Sequence, residues 1–223
     1  MSNSEPRTLT FNLSGFTVDD EGVDEYEKML EERRKQDRIS FYKSSKSGVP
    51  SKFWNESLET YIAETPEEER NKDAIQQFVK NPQNKVYILC GNNGNGKSHL
   101  ASSVIRELGG KYITASDLCI EYESYGSFSG EMSRTKYLRI LSAQVVLVID
   151  ECGKYTLNQQ LEKFLLAYVL SARYEDNLPT ILVTNASKKE FIEFLGISVF
   201  DRLTEVCTTL EFTEPSKRKA RRE

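Results

Sequence analysis

The sequence predicts an α/β fold in which a parallel β-sheet is covered by helices on both faces. After Lys85, short apolar runs typical of strands alternate with helical stretches, an order that favours parallel strands joined by crossover helices. The run Val145–Ile149 is continuously apolar, as expected of a central strand that is buried on both sides. With 223 residues, of which 38% are hydrophobic and 29% charged, the chain suits one globular domain with an appendage.

A helix is predicted to begin just before this alternating region. Thr65 can cap its N-terminus, Pro66 suits the first helical position, and Glu67–Glu69 complement the positive end of the helix dipole. Asn81 and Pro82 are expected to end it, because the residue before a proline is disfavoured in helices.

Five strands and one long helix are predicted further along the chain. The strands are Val86–Cys90, Tyr112–Thr114, Val145–Ile149, Thr180–Thr184 and about 206–212. The helix spans Asn158–Glu175, where apolar residues recur at helical spacing. The loops after the first and third strands are therefore expected at one edge of the sheet, where open α/β sheets bind ligands.

Charge and cysteine content exclude several classes of protein. The net charge of −4 excludes nucleic-acid binding through a uniformly basic surface. The longest apolar run has seven residues, Phe164–Leu170, which is too short to span a membrane, and residues 1–16 lack the pattern of a secretory leader. The four cysteines are scattered without a CxxC pair, so we expect reduced thiols in a cytoplasmic protein rather than disulfides or a zinc site.

Composition divides the chain into three regions. Residues 1–46 form an acidic arm that ends in a predicted linker, Lys43–Pro50. The arm contains a short apolar stripe at helical spacing, made of Val23, Tyr26, Met29 and Leu30. Residues 47–214 are predicted to form the main domain. Residues 215–223 form a basic tail, which either binds phosphates or keeps the terminus solvated.

A glycine-rich motif directly follows the first predicted strand. It has the form G-x-x-x-x-G-K-S and comprises Gly91, Asn92, Asn93, Gly94, Asn95, Gly96, Lys97 and Ser98. Glycines let the backbone curl so that consecutive N–H groups face phosphate oxygens, and the following helix adds its positive N-terminus. Lys97 is predicted to reach the β- and γ-phosphates of a nucleotide, and the Ser98 hydroxyl to ligate Mg²⁺. The strand before the motif and the helix after it favour this interpretation over an ordinary turn.

Two acidic residues, Asp150 and Glu151, follow the third apolar run. Asp150 is predicted to hold Mg²⁺, usually through a water, and Glu151 to polarise the water that attacks the γ-phosphate. Acidic pairs also end strands at protein surfaces without such a role, but the preceding phosphate-binding motif favours the catalytic interpretation. A hydrolytic glutamate favours an ATPase over a small-molecule kinase, and the sequence lacks the Asn-Lys-x-Asp motif of GTPases.

Two further polar residues adjoin these motifs. Asn185 follows the fourth predicted strand, where its amide is predicted to hold the attacking water, although asparagine is also a common turn former. His99 is the only histidine and follows Ser98. We expect His99 to lie on the helix surface beside the nucleotide rather than to act in catalysis, because Glu151 already fills the hydrolytic role.

The order of these motifs resembles that of AAA+ ATPases of the DnaC/IstB kind, the bacterial helicase loaders and transposition helper ATPases. The matching stretches are Ser47–Phe53, Gly91–Leu100, Val148–Gly153, Ala172–Tyr174, Pro179–Asn185 and Phe200–Leu203. Many ATPases share the phosphate-binding motif and the acidic strand. The Gly-Val-Pro, Arg-Tyr and Asp-Arg-Leu sequences within the other stretches narrow the resemblance to this family.

The resemblance implies a three-layer AAA+ sandwich of strand order 5-1-4-3-2, a short N-terminal helical arm and little or no C-terminal lid. It implies ATP and Mg²⁺ as cofactors, with ATP bound between subunits of a homo-oligomer. Asn185 resembles the sensor-1 residue, Arg202 the arginine finger that enters the next subunit's site, and Arg218 a sensor-2-like contact. For Arg202 the alternative is a surface ion pair with Asp201 or Glu205.

Residues 109–141 correspond to the family's helical insertion in this resemblance. They contain three rings followed by three cations: Tyr122, Tyr125 and Phe128, then Arg134, Lys136 and Arg139. Either these side chains stack on and neutralise single-stranded DNA, or the rings belong to the core and the cations form a solvated face. The sequence leaves both alternatives open.

Three hypotheses of function follow. The first is an ATP-hydrolysing helicase loader of DNA replication, whose residues 1–46 bind a replicative helicase while its ATPase domain senses single-stranded DNA. The second is a transposition helper ATPase that binds duplex DNA and a transposase. The third is a regulatory binder that uses ATP as a conformational switch with negligible turnover. None of the three involves a membrane.

Overall fold

The computed structural model describes residues 20–125, 132–153 and 158–217, with side chains from Tyr26 onward. The chain divides into two compact units, residues 1–40 and 41–223. Its elements, in chain order, are α1 (Asp20–Tyr42), α2 (Pro66–Lys80), β1 (Val86–Gly91), α3 (Lys97–Leu108), β2 (Lys111–Thr114), α4 (Ala115–Ser124), α5 (Arg134–Ser142), β3 (Leu147–Cys152), α6 (Gln159–Glu175), β4 (Thr180–Thr184), α7 (Lys188–Leu195), α8 (Ile197–Leu203) and β5 (Cys207–Phe212).

The first unit is described through α1, which contains the apolar stripe of the predicted arm. Within this stripe Tyr26 is 57% and Met29 60% exposed, while Leu30 is half-buried. Both exposed side chains lie on one face, three residues apart. The arm therefore presents apolar surface to solvent.

The five strands of the second unit form one parallel sheet in the order β2-β3-β4-β1-β5. Counted from the β5 edge, this is the order 5-1-4-3-2 that the resemblance implied, and the predicted fold class is confirmed. The carboxyl ends of β1, β3 and β4 consequently lie side by side at one edge of the sheet.

Alternate residues of the central strands point into two separate cores. Ile88 and Ile149 belong to one cluster, and Leu89 and Val148 belong to the other. The first cluster also contains helix residues Leu118, Leu138, Leu165 and Phe191 from α4 to α7. The second also contains Ile75, Phe78, Leu100 and Val104 from α2 and α3. Helices thus cover both faces of the sheet, which explains why the strands are apolar without alternation.

Local capping determines where two of the helices begin. Thr65 accepts a hydrogen bond from the backbone N–H of Glu68 at the start of α2 (3.3 Å). Asn158 does the same for Leu161 at the start of α6 (3.1 Å). Both N-termini agree with the predictions, because side-chain capping depends on residues three positions apart and not on distant contacts.

Two predicted boundaries differ from the structure. Lys43–Pro50 has the composition of a linker, yet Ser47 is fully buried and its hydroxyl donates to the carbonyl of Tyr42, itself fully buried. This stretch therefore belongs to the second compact unit, which begins at Phe41. The third strand begins at Leu147 and not at Val145, which is 61% exposed. For Lys43–Pro50, small polar residues suit a packed turn as well as a free linker, so composition could not distinguish a turn from a linker.

No helix within the described ranges is both long and apolar enough to cross a membrane.

Candidate functional site

A cleft of ≈ 360 Å³ opens at the carboxyl edge of the sheet. Its lining residues are Lys52, Phe53, Asn93, Gly94, Gly96, Lys97, Ser98, His99, Asp150, Glu151 and Asn185. The loop after β1, the acidic end of β3 and the residue after β4 thus meet in one place, as the sequence predicted. The parallel pairing of β1, β3 and β4 brings their carboxyl ends together. The cleft also includes Lys52, which lies 133 positions before Asn185 in the chain.

The glycine-rich loop is held in its curled form by positive backbone φ angles. Gly94 and Gly96 have φ of 86° and 88°, which side-chain-bearing residues rarely adopt. A Cβ at Gly96 would lie 2.5 Å from the ring of Tyr61. Gly96 is also the N-cap of α3, so the loop delivers the positive end of a 12-residue helix into the cleft.

Three loop residues maintain the loop's shape. The N–H of Gly91 donates to the carbonyl of Ala186 (3.1 Å), and the N–H of Asn92 to that of Phe212 (3.0 Å). Asn95 is buried, and its amide nitrogen donates to the carbonyl oxygens of Phe212 and Glu214. The predicted set Gly91–His99 is therefore divided between residues that line the cleft and residues that anchor the loop.

Lys97 lies beneath the loop with only 4% of its surface exposed. Its ammonium donates to the carbonyl oxygens of Gly91 (2.9 Å) and Asn92. A buried cation stabilised by carbonyl dipoles is favourable next to the negative charge of a phosphate. Ser98 follows it in the first turn of α3, with its side chain in the lining of the cleft.

Asp150 is 5% exposed and both of its carboxylate oxygens accept hydrogen bonds. Oδ1 accepts from the backbone N–H of Glu151 (2.7 Å), and Oδ2 from the hydroxyl of Tyr112. Burial, together with the adjacent Asp150 carboxylate, raises the pKa of Tyr112 well above its ordinary value. The phenol therefore stays protonated and acts as a donor at neutral pH.

Glu151 is exposed at the mouth of the cleft and has a backbone φ of 60°. The pairing of β3 with β4 shifts register between Ile149 and Cys152, which places this irregularity at the predicted catalytic residue. A left-handed conformation costs a non-glycine residue about 1–2 kcal/mol, and such strain concentrates at functional sites. The bulge turns the side chain of Glu151 away from the buried sheet and toward the cleft.

Asn185 lies one residue beyond β4 and is half-buried in the lining of the cleft. The preceding Thr184 hydroxyl donates to the carbonyl of Cys152 (2.6 Å) and accepts from the N–H of Ala186 (3.1 Å). These bonds tie the end of β4 to the end of β3. Asn185 and Glu151 are thus held on adjacent strand ends.

His99 connects the site to the segment before α2. Its Nε2 lies 2.8 Å from the carbonyl of Ser57 and its Nδ1 3.1 Å from the carboxylate of Glu56. The imidazole packs edge-on against Tyr61 at 5.3 Å. Both ring nitrogens thus contact the segment before α2, and the side chain is only 16% exposed, so His99 joins this segment to α3 and is less exposed than the predicted position on the helix surface.

The cleft also contains side chains to which sequence reasoning assigned no role. Lys52 and Phe53 lie on a short 3₁₀ turn, Ser51–Phe53, with the Lys52 ammonium 4.8 Å from the Phe53 ring. Their only sequence signal was the Ser47–Phe53 stretch of the family resemblance. Tyr112 had no signal, because only the pairing of β2 with β3 brings it beside Asp150.

Comparison with known proteins identifies the family. A family model described as IstB-like ATP binding protein matches residues 26–223. The chain belongs to this family. The replicative helicase loader DnaC of Escherichia coli strain K12 is 30% identical over 166 residues, which covers 71% of this chain and 67% of the relative. DnaC of Buchnera aphidicola subsp. Schizaphis graminum is 29% identical over 167 residues, with the same coverage of both chains.

Solved structures have the same fold as this IstB-like protein. The crystal structure of the DnaC helicase loader has a TM-score of 0.63 at 24% identity and covers 74% of this chain and 100% of that one. The crystal structure of DnaI has a TM-score of 0.61 at 17% identity, covering 74% and 94%. These similarities show that the sheet and its helices share the fold of the two solved proteins.

The cleft of this IstB-like protein fits ATP and Mg²⁺. Backbone N–H groups of the curled loop, the N-terminus of α3 and the buried Lys97 ammonium are the groups that bind a polyphosphate. The Ser98 hydroxyl and the Asp150 carboxylate supply the oxygen ligands that Mg²⁺ prefers.

The predicted arginine finger, Arg202, is not among the residues that line this cleft. Arg202 is exposed on α8 and lines a second groove of ≈ 350 Å³ together with Tyr174 and Glu175 of α6. Among the described residues, no ion pair joins Arg202 to Asp201 or Glu205. Arg218 lies outside the described residues.

The rings and cations of the predicted DNA-binding segment are distributed between core and surface. Tyr122 and Tyr125 are partly buried against the first cluster, and the Arg134 guanidinium lies 5.0 Å from the Tyr122 ring. Arg139 is exposed on α5. Phe128 lies outside the described residues. The two described tyrosines therefore serve packing in part, and the cations remain accessible to solvent.

Proposed function

We propose that this IstB-like protein is an ATP-hydrolysing helicase loader that acts in the cytoplasm during DNA replication. The observation that carries the proposal is the cleft itself, where Lys97, Asp150 and Glu151 converge on one edge of the sheet. The similarity to replicative helicase loaders supports the choice of partner.

Each residue of the cleft has a role in this proposal. Lys97 and the loop N–H groups bind the β- and γ-phosphates, and Ser98 with Asp150 would hold Mg²⁺, which neutralises phosphate charge when bound. Glu151 accepts a proton from the attacking water. Asn185 orients that water, because it lies on the strand end next to Glu151.

The proposal includes a homo-oligomer in which Arg202 acts on the ATP of a neighbouring subunit. Its place on α8, in a groove separate from the nucleotide cleft, supports action in trans. An arginine that neutralises charge developing on the γ-phosphate accelerates hydrolysis by about 10³–10⁵-fold.

The acidic arm, residues 1–46, is proposed to bind the replicative helicase. The exposed Tyr26 and Met29 on α1 support this role, since apolar side chains on a helix face are common anchors for partner proteins. The exposed cations of α5 are proposed to contact single-stranded DNA through its phosphates, together with Arg134 beside Tyr122.

A pull-down with the replicative helicase of the same organism tests the partner. The full chain is expected to retain the helicase, and the double substitution Tyr26→Ala with Met29→Ala to lose retention. The matched control, Glu27→Ala with Glu31→Ala, changes exposed residues of the same helix and is expected to retain it. No retention by the unmodified chain would overturn the proposed partner.

A turnover assay tests hydrolysis separately. ATP hydrolysis with single-stranded DNA is expected to be faster in the unmodified chain than in Glu151→Gln or Arg202→Ala, and Lys97→Ala is expected to lose nucleotide binding. Equal rates of hydrolysis in the unmodified chain, Glu151→Gln and Arg202→Ala would favour the third hypothesis, a regulatory binder that uses ATP as a conformational switch with negligible turnover.

A transposition helper is the second candidate, and the match to the family described as IstB-like ATP binding protein favours it. Preferential binding to duplex over single-stranded DNA, together with no helicase retention, is the result expected of that candidate.

A further inference from the structure

The Tyr112 hydroxyl is a buried polar group at the proposed metal site that the roles above do not use. Tyr112 lies in β2, directly paired with Val148 of β3, and is 2% exposed. Its hydroxyl donates to Oδ2 of Asp150. A phenol in the core needs a partner, and here the partner is the carboxylate predicted to hold Mg²⁺.

The backbone of Tyr112 is held as firmly as its side chain. Its N–H donates to the carbonyl of Ser47 at 2.7 Å. On the same strand edge, Gly48 approaches so closely that a Cβ there would lie 2.0 Å from the carbonyl oxygen of Tyr112. Gly48 has a φ of 75°, and this backbone conformation lets the segment that begins with Gly-Val-Pro pack directly against the edge of β2. The phenol therefore has little freedom to move away from Asp150.

The two hydrogen bonds on Asp150 determine how its carboxylate is presented. Oδ1 accepts from the N–H of Glu151 (2.7 Å) and Oδ2 from the phenol of Tyr112. With one donor on each oxygen, rotation of the carboxylate about its last bond breaks both bonds. Each oxygen retains a second lone pair for a metal ion or its water.

We infer that Tyr112 is a positioning residue of the magnesium site, which orients the Asp150 carboxylate through its hydroxyl and thereby raises the affinity for Mg²⁺ in the nucleotide complex. The inference rests on the proposed function, in which Asp150 holds Mg²⁺. Donors to a metal-binding carboxylate fix its orientation, and their loss typically costs about 10–100-fold in metal affinity or activity.

Fluorescence anisotropy of a labelled ATP analogue bound to the full chain tests this inference, first with a chelator and then with increasing MgCl₂. Tyr112→Phe keeps the ring and removes only the hydroxyl. The affinity of this variant for the analogue without metal is expected to stay within about twofold of that of the unmodified chain. The Mg²⁺ concentration that gives half of the Mg²⁺-dependent increase in affinity is expected to rise about tenfold. Tyr112→Met is expected to give the same shift and keeps the test valid if the first variant folds poorly.

The matched control is Tyr87→Phe, which removes another buried hydroxyl from the same sheet. It is expected to leave the Mg²⁺ dependence unchanged. A Tyr112→Phe curve that overlays the control, or one that moves to lower Mg²⁺ concentration, would overturn the positioning role. If the unmodified chain itself binds the analogue without any gain from Mg²⁺, the proposed function fails instead, and the two failures are thus distinguished.

Discussion

Lys217 and Glu68 form an ion pair with 2.9 Å between Nζ and Oε1, and Glu68 is 2% exposed. The same ammonium donates to the carbonyl of Ile62 (2.7 Å), and the backbone N–H of Lys217 to the carbonyl of Gly94 (3.1 Å). The segment after β5 is therefore joined both to the start of α2 and to the glycine-rich loop.

Lys217→Ala is expected to destabilise the protein and weaken ATP binding together. Removing the cation leaves a buried carboxylate without its charge partner, at a cost of about 2 kcal/mol. For a chain of this size that corresponds to a fall in Tm of roughly 4–8 °C, measured by thermal denaturation. Lys189→Ala changes an exposed lysine on α7 and is the control. An unchanged Tm in Lys217→Ala would contradict the structural importance of this ion pair.

Glu151→Gly is expected to raise stability and abolish hydrolysis. Glycine adopts the φ of 60° at this position without strain, whereas Glu151→Ala keeps the Cβ and the strain. The glycine variant should be about 1 kcal/mol more stable than the alanine variant, and both should lose about 10²-fold or more in turnover. Chemical denaturation and a phosphate-release assay measure the two effects. Equal stability of the two variants would show that the backbone at Glu151 is relaxed.

Arg202→Ala and Glu151→Gln are expected to complement each other in a mixed oligomer. In the proposed homo-oligomer each variant alone lacks one component of every active site. Mixing would restore sites in which Glu151 of one subunit faces Arg202 of the next. Turnover at a one-to-one mixture should therefore exceed that of either variant by at least about tenfold, given the size of arginine-finger effects. A mixture no faster than its components would place Arg202 in its own subunit's site or outside catalysis.

Arg173→Lys is expected to be strongly destabilising although the charge is kept. The Arg173 guanidinium is 1% exposed and donates to Thr180 Oγ1 (2.8 Å) and to the carbonyl oxygens of Ser142 (2.7 Å), Gln144 (2.7 Å) and Pro179. Lysine cannot reproduce this planar set of donors. We expect a loss of about 3 kcal/mol, seen as a shift of the denaturation midpoint, whereas Arg139→Lys at an exposed position of α5 should change little.

Alkylation of Cys207 is expected to be slow at neutral pH and to accelerate with pH. Burial raises the pKa of this thiol to about 11, so at pH 8 only roughly 0.1% is thiolate, compared with roughly a quarter of a free cysteine. Because burial disfavours the charged form, the rate should rise about tenfold per pH unit between pH 8 and 10 while the protein stays folded. Iodoacetamide labelling followed by peptide mass spectrometry measures it. A rate that levels off below pH 9 would contradict the raised pKa.

The elements that the sequence predicted well depend on local patterns. Thr65 and Asn158 cap their helices through contacts three residues away. The apolar residues of α6 recur at helical spacing along the chain. The glycine-rich loop was equally predictable, because its three glycines, Lys97 and Ser98 lie within the eight consecutive positions Gly91–Ser98. Such features depend on residues that are close together in the chain, so they can be predicted from the sequence alone.

The linker prediction for Lys43–Pro50 was wrong for the opposite reason. Whether a Ser/Gly-rich stretch is free or packed depends on the surface that it meets, and here it meets the backbone of Tyr112. The contact between Tyr112 and Asp150 could not be predicted from the sequence for the same reason, because 38 positions separate the two residues in the chain.

The sequence by itself determined the AAA+ class and, through its family resemblance, the strand order. It also predicted the glycine-rich loop and the acidic residues that line one cleft. Only the tertiary structure decided which side chains support them: Tyr112 on Asp150, Lys217 on Glu68, and the left-handed bulge at Glu151. Functional residues that lie close together in the chain can be recognised as a sequence motif. Contacts between side chains of different strands and helices depend on strand pairing and burial, which arise only when the sheet assembles.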